Sequence, residues 1–146
     1  MATYSFMDVS ASMAGPTGVI DLGYGSANSD EGIVVAMTEA KNTMTTGADG
    51  EGMHSLHAGK SGTIAVNLLK TSPVNKKLSL MYNAQSLSST LWGNNVIVVR
   101  NTASGDLVTA RGCAFQKVPD FSNPKVGGTV VWVFDCIKID ELLGEY

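Results

Sequence analysis

The chain is poor in cysteine, proline, aromatic side chains and positive charge. Its 146 residues include 2 cysteines and 4 prolines, and 7% are aromatic. Two cysteines in a chain of this length do not make a disulfide framework. Each stands in an apolar, strand-like run, so Cys113 and Cys136 read as small buried apolar residues of a protein made in a reducing cytoplasm. Lys and Arg number 10 against 13 Asp and Glu, a formal net charge of −3, with no basic arm or cluster. Tight gripping of nucleic-acid phosphates needs such a cluster. No apolar run reaches the ~18 residues that a membrane-spanning helix needs. The opening MATYSFMDVS has neither the charged start nor the apolar centre of a secretion signal.

What is present is a globular composition, 44% hydrophobic and 16% charged, with 16 glycines and 7 methionines. The length suits one domain over residues 1–146. Glycine points to many turns, and methionine to adaptable packing or interface surface.

The segment from Gly52 to Asn75, GMHSLHAGKSGTIAVNLLKTSPVN, holds the candidates for chemistry. Gly59, Lys60 and Ser61 form the second half of a phosphate-binding loop. The first glycine of that motif would fall at His54, and Gly52 is two places early. Thr63, Ala65 and Asn67 then alternate with Ile64, Val66 and Leu68, so a strand follows, not the helix N-terminus that would hold a phosphate. His54 and His57, with two cysteines far along the chain, fall short of the four convergent ligands of a structural zinc. His57 and Ser61 could serve as base and nucleophile, but no Gly-x-Ser-x-Gly elbow is present. The carboxylates are scattered, and Asp30–Glu31 reads as a solvated loop pair. We expect no catalytic site, metal or cofactor, and read HAGKSG as the end of a polar loop entering a strand.

The pattern along the chain predicts about six strands and one helix. A first strand runs from Tyr4 to Met13. A connection from Gly15 to Gly32 follows, either an extended hairpin or an ordered loop. A second strand starts at Ile33 and runs to about Met44. A second long loop, Thr45 to Gly62, leads to a strand from Thr63 to Leu69. Ser72 is suited to cap a helix that begins at Pro73 and runs to about Gln85, with Val74, Leu78, Met81 and Gln85 on one face. NNVIVVRNTA and DLVTARGCAFQKV read as a hairpin turning at Ser104–Gly105. After the loop PDFSNPKVGG, the last strand TVVWVFDCIKID is almost continuously apolar. It is therefore buried on both faces or covered on one by another subunit.

The block GADGEGMHSLHAGKSGTIAVNLLKTSPVNKKLSLMYNAQ resembles the tail tube subunits of contractile-tailed bacteriophages (myoviruses). The flanking YSFMDVSASMAGPTG and EGIVVAMTEAKNTMTTGADG are similar too. The resemblance covers about the first 85 residues clearly and the rest in layout; the acidic end IDELLGEY carries no mark of the family. It implies a β-sandwich or partial barrel with one flanking helix, the fold shared with type VI secretion and bacteriocin tubes. It implies a structural protein of the virion tail, not an enzyme, assembled in the host cytoplasm. Six subunits would form a ring, and rings would stack into a tube through which DNA passes without tight binding. Its partners would be further copies of itself, the tail sheath, the baseplate and the tail terminator.

On that reading the second long loop reaches the next ring, with Asp49, Glu51, His54, His57 and Lys60 as its contact candidates. Ile64, Val66 and Leu68 face the core, by alternation. Thr63, Ala65 and Asn67 would then face the channel, with Glu39 on the second strand as an acidic lumen candidate, unless it pairs with Lys41. A tube initiator or terminator of the same fold is the alternative from the same particle. An intracellular small-ligand-binding β-barrel, or a hydrolase using His57 and Ser61, are the alternatives outside it.

Overall fold

A computed structural model describes residues 2–146. After a short 3-10 turn at Phe6–Asp8 come β1 (Val9–Gly15), β2 (Gly18–Asp21), β3 (Asn28–Met37), β4 (Asn42–Thr46), β5 (Gly52–Leu56) and β6 (Gly62–Leu69). Then follow α1 (Val74–Gln85), β7 (Asn95–Asn101), β8 (Leu107–Phe115) and β9 (Thr129–Leu142). Seven strands form one antiparallel sheet in the order β2-β1-β7-β8-β9-β6-β3, curled into a half-barrel, and β4 and β5 pair only with each other. The fold class read from the sequence, a mainly β partial barrel with one flanking helix, is the one observed.

The strand count differs, because both long loops contain hairpins. The first connection folds as the hairpin β1–β2, and β3 starts already at Asn28. The predicted second strand breaks after Met37; its end, Asn42–Thr46, pairs with Gly52–Leu56. The last strand is buried on one face only. Trp132, Phe134 and Cys136 point inward, whereas Val131 is 41% and Ile137 65% exposed.

The core lies in the curl of the sheet. In β6 the alternation gives Ile64, Val66 and Leu68 no exposure at all. They meet Met13, Ile97, Phe115 and Phe134 from other strands in one cluster. Phe115 anchors the aromatic part, 4.9 Å from Phe134, 5.6 Å from Tyr82 and 5.8 Å from Trp132, ring centre to ring centre. The helix covers this side with the face expected of it: Val74, Leu78, Met81 and Gln85 are buried. Ser72 accepts from the Val74 amide at 3.3 Å and donates to the Ser26 carbonyl at 2.6 Å, so it both caps the helix and ties it to the turn before β3.

A buried amide pair closes the far end of the helix. Gln85 donates to Asn95 Oδ1 at 2.7 Å, and Asn95 donates back to Gln85 Oε1 at 2.8 Å and to the Cys113 carbonyl at 3.1 Å. Gly15 gives the pair its room, because a Cβ there would stand 1.9 Å from Asn95 Oδ1. One bulge also matters to the core. Gly112, at φ +63°, lets both Ala110 and Cys113 point inward although they are an odd number of residues apart.

Candidate assembly surfaces

The hairpin β4–β5 is an arm with no core. Every residue of β4 is exposed, and in β5 only Ser55 is partly covered. A two-stranded hairpin alone is at best marginally stable in water. What holds this one is local. Asp49 accepts from the Glu51 amide at 3.1 Å in the tip, where Gly50 adopts φ +89°. At the base the His57 amide donates to the Lys41 carbonyl at 2.9 Å. The histidines belong to the same local set: His54 Nδ1 lies 3.2 Å from Asn42 Nδ2, and His57 Nε2 2.7 Å from Thr43 Oγ1. His57 is thus turned to Thr43 and not to Ser61. Among the described residues no group of three or more His, Cys, Asp or Glu is placed to hold a metal ion.

The five residues assigned to the second loop therefore separate. Asp49 and Glu51 sit at the acidic tip, His54 along the arm and His57 at its base. Lys60 belongs to the body of the sheet. It bridges to Lys138 in β9 and forms an ion pair with Asp140 at 3.1 Å, which Arg111 joins at 3.3 Å. The Lys60 hydrogen bond, with the charges of Lys60, Arg111 and Lys138, holds the Asp140 carboxyl below its usual range.

The four lumen candidates separate as well. Thr63 and Ala65 lie on the face of β6 opposite the core and are half-buried. Asn67 shares that face but is only 8% exposed, because β3 bulges over it and the Gly32 carbonyl accepts from its Nδ2 at 3.0 Å. Glu39 is not on a strand. It lies in the connection between β3 and β4, and its carboxylate rests over Gly59, where a Cβ would be 2.2 Å from Oε1. Among the described residues it forms no ion pair with Lys41. The nearest carboxylates on β3 itself are Asp30 and Glu31, both exposed in the bulge; the Ser29 hydroxyl bonds Glu31 at 2.5 Å and lowers its pKa.

Sequence reasoning missed the apolar part of these surfaces. Met44, Met53 and Leu56 stand 64%, 61% and 82% exposed on the arm. Phe121, between Pro119 and Pro124 in the loop before β9, is 92% exposed. The signal was available: apolar residues in polar, turn-rich stretches have no strand or helix face to bury them. Among the described residues the sheet also has two open edges, since β2 pairs only with β1 and β3 only with β6.

A curled sheet with open edges, one covering helix and a projecting arm is a fold found in contractile injection systems. Three solved structures share it at low identity. The PVC extracellular contractile injection system sheath–tube complex in its extended state matches with TM-score 0.53 and 10% identity, over 91% of this chain and 88% of that one. The anti-feeding prophage tube-terminating cap matches with TM-score 0.52 and 10% identity, over 99% and 95%. A chain of the anti-feeding prophage baseplate, 6-fold symmetrised, matches with TM-score 0.51 and 13% identity, over 97% and 96%. No curated protein sequence matches the chain. The model of the Bacteriophage PhiTE tail tube protein family matches residues 1–144, and the chain belongs to that family. It is a tail-tube-type structural protein of a phage tail.

Proposed function

We propose that this protein forms rings that stack into the inner tube of a contractile phage tail and conduct DNA. The observation that carries this reading is the open sheet. Both edges, β2 and the long β3, keep a free row of backbone groups among the described residues. Such edges pair with another chain unless something covers them. Joining β2 of one copy to β3 of the next closes a ring, and a six-membered ring agrees with the 6-fold symmetry of the matched baseplate. The face of the sheet away from the core would line the channel. Thr63 and Ala65 are small and uncharged there, and the carboxylates of Asp30, Glu31 and Asp135 lie on exposed positions of neighbouring strands. Lys60, Arg111 and Lys138 gather around Asp140 at exposed positions away from the core, so a channel that does not hold phosphates would need these carboxylates to offset them. The sheath would surround the tube, and baseplate and terminator proteins would meet its ends, with assembly in the host cytoplasm before the virion leaves.

The same fold also serves the anti-feeding prophage cap, which favours a tube terminator as the second reading. Negative-stain microscopy of the purified protein with light scattering over a concentration series separates the two. Long stacked rings support the tube, short capped stacks the terminator, and a monomer at all concentrations contradicts both. For the channel, Ala65→Arg should leave rings intact and slow DNA ejection; ejection at the normal rate would remove Ala65 from the lumen.

A further inference from the structure

The arm and the loop 116–128 leave the sheet at opposite ends of β6. The arm returns to the sheet at Gly62, paired with Met37 and Cys136, whereas the loop enters it at Thr129, paired with Leu69. The eight residues of β6 span ~23 Å between these ends. Both elements expose apolar side chains, and their charges are opposite. The arm and its base, residues 38–59, carry Glu39, Asp49 and Glu51 against Lys41. The loop carries Lys117 and Lys125 against Asp120, and Lys70 adds a third cation, its amine 5.9 Å from the centre of the Phe121 ring and bonded to the Ser122 carbonyl. The loop is thus held with Phe121 outward, and its two prolines limit the freedom it would lose on binding.

We propose that the loop 116–128 of a second copy receives the arm. This rests on the stacking reading and names the surface that stacking would use. Met44, which shares one face of the arm with the exposed Leu56, is suited to cover the Phe121 ring, since a thioether adapts its shape and packs favourably at an aromatic edge. Asp49 and Glu51 meet Lys117 and Lys125. The giving and receiving surfaces differ and lie at opposite ends, so the contact is head-to-tail. It repeats without closing and generates a stack rather than a dimer.

Charge reversal with rescue tests it. One chain carries Asp49→Asn and Glu51→Lys, where Asn keeps the acceptor that the tip turn needs. A second carries Lys117→Glu and Lys125→Glu, and a third carries all four changes. All these side chains are exposed, so circular dichroism and melting temperature should match the parent. Each double variant should raise the concentration for half-maximal stacking, read by light scattering and micrographs, at least ~10-fold, and the combined chain should return to within ~3-fold of the parent. Phe121→Ala should abolish stacks without lowering the melting temperature. Stacks that ignore either reversal, or no rescue in the combined chain while the parent stacks normally, would overturn the arm–loop contact and leave the stacking reading in place. A parent chain that never associates would overturn the stacking reading, and this contact with it.

Discussion

The body of the sheet and the arm β4–β5 are both built of antiparallel strands but are held by opposite physics. In the body, the strands bury one side of the pleat against the helix and the facing strands, β3 only partly, so burial sets the register. In the arm nothing is buried, and the hairpin is kept by a tip turn, two histidine contacts and a backbone bond at its base. The body explains itself. The arm has the shape and exposed side chains of an element completed by another molecule. A hairpin that gains little by folding alone can exchange between free and bound states at low cost, which suits assembly.

The sharpest way to separate the two regions is to remove one large side chain from each. Phe134 has no exposure and its ring lies 4.9 Å from that of Phe115. Phe134→Ala should destabilise the subunit by about 3–5 kcal/mol in a denaturant titration. Met53→Ala, on the arm, should change subunit stability by no more than about 0.5 kcal/mol. Equal losses would mean that the arm packs on the body.

A second comparison tests the closure of the body. Gly15→Ala would drive a methyl into Asn95 and break the reciprocal amide pair with Gln85. Leaving these buried groups unpaired should cost on the order of 1–3 kcal/mol, seen as a lower melting temperature. The cysteines report the same enclosure. Cys113 and Cys136 face each other at 2.9 Å and are buried, and the shared S–H···S contact raises the Cys136 pKa. Neither should react with a maleimide until the protein unfolds; prompt labelling in the native state would show that β8 and β9 open.

How much of this was legible in the sequence follows from the same contrast. Where burial dictates structure, the pattern spoke clearly: Ile64, Val66 and Leu68 on β6, and Val74, Leu78, Met81 and Gln85 on α1, occupy the faces that their spacing assigned. The hairpin β7–β8 turns at Ser104–Gly105, where Gly105 adopts φ +83°. The arm was invisible because NTMTT and GMHSL pair without burying a face, so no alternation marks them as strands. Asn67 was placed on the right face of β6, but its cover comes from a bulge in β3 that period-two reasoning cannot foresee. Glu39 was set on a strand that ends two residues earlier. The ion pair of Lys60 with Asp140 joins residues far apart in the chain, and only the fold brings them together.

The smallest expected effect lies at the joint between the two regions. The Asp140 carboxyl has a depressed pKa, so its contribution is present above the unfolded value and is lost as the pH falls through the folded one, below 3.8. Protection of the Ile139 amide, which donates to the Lys60 carbonyl at 2.8 Å, should therefore weaken only below that pH. A change centred above it would assign the joint to another group.

Amide hydrogen exchange measured on the same chain before and after assembly reads whether a second copy completes the arm. Residues 42–56 should exchange rapidly in the free subunit and become protected in the assembled state, while β6 and β9 should be protected in both. An arm that is already protected in the free subunit, or that stays unprotected after assembly, would contradict its completion by a second copy.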